Sequence, residues 1–204
     1  MKKLLVISLC VLAVACTKTP EQKAEALIKD AMCKSLVLPE TYQVVETQLD
    51  SAYTPIHDPE FVSKVLEMNK IGLEMDELEK QVKRAKYSMS LWSGTYRSAF
   101  GREQYNQAKD KYDEVKAQYD SLVERLQRIA EDLKQKAEEA PEFIGYFAHH
   151  RYRANNNAGY TLLNDEYFLL DKEITRIVAQ WNDKEMAVYN DFLKLAAETA
   201  EATK

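Results

Sequence analysis

Two heptad seams constrain this 204-residue chain more than anything else in it. From Ile71 the apolar positions run Met75, Leu78, Val82, Ala85, Met89 and Trp92, in alternating steps of four and three. After the break "SGTYRSAFG" the alternation resumes at Tyr105 and continues through Ala108, Tyr112, Val115, Tyr119, Leu122, Leu126, Ile129 and Leu133. An apolar step averaging 3.5 residues lines one face of a helix and demands a second helix against it. Glu124 stands four before Arg128 and Asp132 four before Lys136, which suits solvated outer positions. Two helices of about 35 residues joined by a short turn predict an antiparallel coiled-coil hairpin about 50 Å long, at about 1.5 Å per residue.

The flanks read differently. Ala24, Leu27, Ile28, Ala31 and Met32 recur at helical spacing, so an amphipathic helix is expected to end near Leu38, before Pro39. The β-branched and aromatic stretch "TYQVVETQLD" predicts a strand. In "TPIHDPEF", Asp58 as N-cap, Pro59 at N1 and Glu60 in the first turn open the hairpin's first helix. Beyond Pro141 the apolar period changes from 3.5 to 2. "EFIGYFAHHRYRA" and "YTLLNDEYFLL" read as strands joined by the turn-forming "NNNAG", and Asp171 with Lys172 is expected to turn the chain into a further strand, "EITRIVAQW". In "NDKEMAVYNDFLKLAAETA", Asn182 and Glu185 make a capping box, and Met186, Tyr189, Phe192 and Leu193 share one face. The expected fold class is α+β: a small antiparallel sheet with flanking helices and a long inserted coiled-coil hairpin. The hairpin spans 58–140, and 23–56 with 142–199 form the body.

The segment "MKKLLVISLCVLAVAC" has two lysines, an apolar run from Leu4 to Val14 and small residues ending at Cys16. That is a secretory signal, residues 1–15, too short to span a bilayer. Its "AVAC" resembles the lipobox of bacterial lipoproteins. The resemblance implies lipidation at Cys16 with acyl chains such as palmitate, and 16–22 then read as a tether. Loss of the signal removes Lys2 and Lys3 from 28 basic residues against 33 acidic ones, so the net charge moves from −5 to −7. An acidic chain is a poor match for phosphate backbones, and no nucleic-acid partner is expected. Cys33 remains as a single thiol, on a helix flank or in an intermolecular disulfide.

The blocks "LVLPETYQVVETQLDSAYTP" and "FIGYFAHHRYRANNNAGYTLLNDEYFLLDKEI" are similar to segments of small predicted lipoproteins of the Bacteroidota, in which a Pro-x-x-Tyr strand segment accompanies an HRYRANN-type hairpin. The resemblance covers about a quarter of the chain and brings no catalytic residue with it. It implies a Gram-negative envelope and a body interrupted by the arm. The absence of acidic residues in "CTKTP" points to the periplasmic face. Efflux-pump adaptor proteins also carry inserted hairpins, but five glycines are too few for their flanking domains.

Candidate sites are sparse. In a strand His149 and His150 point to opposite faces, a poor ligand pair, and no metal or cofactor is expected. His149, Arg151 and Arg153 share a face with Phe147, and His150 and Tyr152 share the other with Tyr146 and Ala148. Arg151, Tyr152 and Arg153 are candidates for binding a carboxylate or phosphate. The competing reading pairs the arginines with Asp165, Glu166 or Glu173. His57 beside Asp58 suggests an orienting pair, but Asp58 is already wanted as a cap. HExxH, CxxC, GxSxG and Gly-rich phosphate loops are absent from the sequence, so no enzyme is expected. The turn between the helices holds Trp92, Tyr96, Arg97 and Phe100, residue types that anchor interfaces. The alternative is that they close the hairpin on each other. The expectation is a membrane-anchored envelope lipoprotein of non-enzymatic type that contacts a protein partner, or its own copy, through the arm. The alternative is a small-ligand or anion-binding module on the Arg151/Arg153 face.

Overall fold

The computed structural model describes residues 18–202, so the expected signal and Cys16, where lipidation is expected, lie outside the described residues. The described chain is α+β. Its elements are α1 (Pro20–Ser35), β1 (Gln43–Tyr53), α2 (Pro59–Ser93), α3 (Ala99–Ala137), β2 (Phe143–Asn155), β3 (Thr161–Leu170), β4 (Ile177–Asn182) and α4 (Asp183–Ala202). A 3-10 turn, Pro39–Thr41, precedes β1. Two compact units result: residues up to 59 with 141–187, and 60–140 with 188 onward.

The first unit holds an antiparallel sheet in the order β1-β2-β3-β4. β1 and β2 are bonded neighbours although the long helices lie between them in sequence. Where the chain leaves and returns, Thr54 N–H donates to the Glu142 carbonyl at 2.9 Å, and Glu142 N–H to Thr54 Oγ1 at 2.9 Å. Alternation along β2 buries Ala148, His150, Tyr152 and Ala154 on one face. On that face Ala24, Ile28 and Met32 of α1, each four apart, pack with Phe168, Leu170 and Ile174. Removing Ile28 and Met32 from water contributes about 1.5–3 kcal/mol each.

Three boundaries differ from expectation. α1 begins at Pro20, because Thr19 Oγ1 accepts from Gln22 N–H and Gln22 Oε1 accepts from Thr19 N–H, a capping box with proline at N1. The tether expected over 16–22 is therefore helix from Pro20, its first two residues lying outside the described ones. α1 also stops at Ser35, short of Leu38, where Leu36 turns extended. Last, "EITRIVAQW" is strand only from Ile177. Asp171 explains this: its carboxylate accepts from Thr175 N–H and Oγ1–H, both at 2.6 Å, and from Arg176 N–H at 3.2 Å, holding the chain in a turn. Within that turn Ile174 has φ 56° and is buried in the core. Gly145 has φ 147°, and a Cβ there would stand 2.0 Å from the Leu170 carbonyl oxygen, so β2 admits no larger residue at this point.

In the second unit α2 and α3 form the hairpin. Every seam position of the heptad pattern is buried or half-buried, with Ile71, Leu78, Ala85, Ala108, Val115, Ile129 and Leu133 the most enclosed. Antiparallel register shows in the cross-helix ion pairs. Glu60 meets Lys136 at 2.6 Å, Lys64 meets Asp132, and Glu67 meets Arg125 at 2.7 Å. Ser98 caps α3 by accepting from Gly101 N–H at 2.9 Å; a Cβ on Gly101 would come within 2.0 Å of the Thr95 carbonyl oxygen. The last helix, expected wholly in the body, is divided between the units, and Tyr189 meets Phe61 edge-on at 6.5 Å.

Candidate functional site

β2 presents two chemically different faces. On one, His150 is fully buried. Its Nε2 is 2.6 Å from the Tyr42 hydroxyl and its Nδ1 2.8 Å from Thr47 Oγ1, so both ring nitrogens are satisfied. Tyr42 and Tyr152 rings stack on the imidazole at 6.0 and 5.7 Å, and Phe168 meets it edge-on. Burial holds His150 well below its ordinary value, at about 4, with His149 adding repulsion. Burial likewise pushes Tyr152 up to about 12 and Tyr42 upward. A neutral imidazole locked between two hydroxyls is a core network; it has no open position for a substrate.

On the opposite face, His149 Nε2 donates to Asp165 Oδ1 at 2.7 Å while its ring stacks on Tyr167 at 4.5 Å. Arg151 Nε lies 3.1 Å from the same oxygen, at ion-pair distance but off the line a hydrogen bond requires. Arg153 is exposed, and its strand neighbours are Gln43 and Leu163. The register places Arg151 and Arg153 together, as the period of two demands. Tyr152 is a correction: it faces the core, is buried, and cannot join the arginines in one site. With Asp165 between His149 and Arg151, the guanidinium already has its anion.

The ring of His57 leans on Phe147 at 5.1 Å, and its Nδ1 accepts from Tyr53 N–H at 3.1 Å, which gives the side chain a turn-closing role. Cys33 is half-buried on α1 and unpaired. Among the described residues no cluster of three metal-ligating side chains occurs, and no helix is long and apolar enough to cross a membrane.

At the hairpin end, Trp92 and Phe100 meet edge-on at 5.6 Å and Tyr96 and Tyr105 at 5.2 Å. Arg97 is exposed, its carbonyl accepting from Arg102 Nη1–H at 3.0 Å. The rings do close on each other, yet Phe100 keeps 61% and Tyr96 45% of its surface in water. The rings pack on one another, as the self-closing reading expects, and large apolar faces of Phe100 and Tyr96 remain outward. Sequence reasoning missed Tyr42 and Thr47 as partners of His150, more than a hundred positions away. No protein-family model, curated protein or solved structure matches the chain.

Proposed function

We propose that the protein is a lipid-anchored envelope protein of non-enzymatic type, held to a membrane through Cys16 and contacting a partner through the end of its helical hairpin. The observation that carries the contact is the apolar surface left in water by Phe100 and Tyr96 at a turn capped by Ser98. Large rings already packed against one another lose less entropy on being covered, which is what interface anchors require. The anion-binding alternative is weaker, since Asp165 neutralises Arg151 and leaves Arg153 alone. Photo-crosslinking in cells from residue 96, with residue 153 as comparison, tests the reading: products are expected from 96 and not from 153. Products from 153 alone would transfer the contact to the sheet. The anchor is tested by metabolic labelling with palmitate, which Cys16→Ser should abolish.

A further inference from the structure

Charge is not spread evenly over the hairpin. Residues 80–102 contain six lysines and arginines and no aspartate or glutamate, in a chain whose net charge is −5. Two of the six, Lys80 and Lys83, share surface ion pairs with Glu77 and Glu79 at 3.5 and 2.7 Å. Arg84, Lys86, Arg97 and Arg102 are exposed, with no carboxylate in ion-pair range among the described residues. The same end exposes apolar surface from both helices and the turn: Tyr87 is 67% exposed and Leu91 58%, beside Tyr96 and Phe100. Trp92 stands half-buried among them.

We propose that this end of the hairpin binds an anionic phospholipid surface. The inference rests on the contact reading above and names the partner's chemistry. Aromatic rings and leucine flanked by long cationic side chains form the composition that settles at a membrane interface: rings lie at headgroup depth, while lysine and arginine run their stems along the apolar layer and leave their charges among phosphates. Each basic residue near an anionic leaflet strengthens partitioning by about fivefold. A nucleic acid would meet the same charges, but the proposed envelope location puts a bilayer, not a duplex, within reach. Apolar side chains offered on α2, the turn and α3 together suit insertion into a layer better than docking on one flat protein face.

The test uses Trp92 as reporter. The full chain is mixed with vesicles of phosphatidylcholine, or of phosphatidylcholine doped with phosphatidylglycerol, each carrying brominated lipid that quenches inserted tryptophan. A Trp92→Phe variant subtracts Trp181, the other tryptophan. Any association of the apolar N-terminal segment common to both vesicle types cancels in the difference between them, which is the reading. Quenching of Trp92 is expected only with phosphatidylglycerol, and high salt should reverse it by screening. The combined change Arg84→Gln, Lys86→Gln, Arg97→Gln and Arg102→Gln should abolish the phosphatidylglycerol-dependent quenching of Trp92 with helicity by circular dichroism unaltered. Equal quenching in both vesicle types, or a charge-depleted variant whose Trp92 is quenched like the parent's, overturns the proposal. A defined protein crosslinked from residue 96 without anionic quenching overturns the lipid surface and keeps the contact. If residue 96 crosslinks neither protein nor lipid and Trp92 is not quenched, both fall.

Discussion

The sheet unit and the hairpin unit are built on opposite principles. In the hairpin, one rule repeats: apolar residues at heptad spacing are buried or half-buried along both helices, and no single one of them carries the arrangement. In the sheet unit, single residues hold positions no neighbour can take over. Gly145 accommodates a carbonyl at a distance no side chain allows, Asp171 alone organises a turn, and His150 joins two hydroxyls across the core. Repetition confers tolerance, and singular contacts confer specificity at the cost of fragility.

That contrast is broken most severely at Gly145. Gly145→Ala forces a Cβ into the Leu170 carbonyl and should cost about 4 kcal/mol or more, unfolding the sheet unit. Urea unfolding in a Trp92→Phe background, where Trp181 reports the sheet unit, measures it. Acid comes next. The unfolded chain protonates His150 near its ordinary value of 6.5 and the folded chain only near 4, so the unfolded state binds more protons in between. Stability of the sheet unit therefore falls as pH drops through that window, by about 3 kcal/mol. Glu166 acts in the opposite sense, because burial raises its pKa and the folded chain takes that proton first. His150→Phe should remove the His150 part of the slope, read as urea midpoints at neutral pH and near pH 4. The hairpin responds lower down. Lys136, then Lys64, holds Glu60 at about 2, so what this carboxylate contributes is present above 4.5 and lost as pH falls from there towards 2.

Smaller effects sharpen the comparison. Val115→Ala, at a seam position 1% exposed, should cost about 2 kcal/mol in thermal unfolding and leave the Trp181 signal of the sheet unit unmoved. Lys136→Ala removes a surface ion pair and should cost about 0.5 kcal/mol, less in high salt. A Val115→Ala variant that unfolds both units together would show that the division is not one of stability.

The same contrast decides what was legible beforehand. Heptads are local and redundant, so the hairpin and its seam could be read residue by residue. The two faces of β2 and the Asn182/Glu185 box were equally local: Asn182 N–H donates to Glu185 Oε2 at 2.9 Å and Glu185 N–H to Asn182 Oδ1 at 3.1 Å. The start of α1 was also written locally, in Thr19-Pro20-Glu21-Gln22, and was hidden by the assumption of a tether. The short β4 was not legible. Its cause is the reach of Asp171 over four and five residues, with Ile174 in a backbone region that β-branched residues rarely adopt. Nor were the partners of His150, because strand register joins positions that sequence spacing does not relate. The cationic end of the hairpin was plain in composition and escaped a reading centred on its aromatic rings.

The capping box at Thr19 also sets a length. From Cys16 to Thr19 the chain has three residue steps, at most about 11 Å when fully extended. A protein lipidated at Cys16 therefore has no slack. The first turn of α1 would ride at headgroup height, like a buoy on a short mooring, with the sheet core that Ile28 and Met32 fasten to it at most about 20 Å farther along the helix.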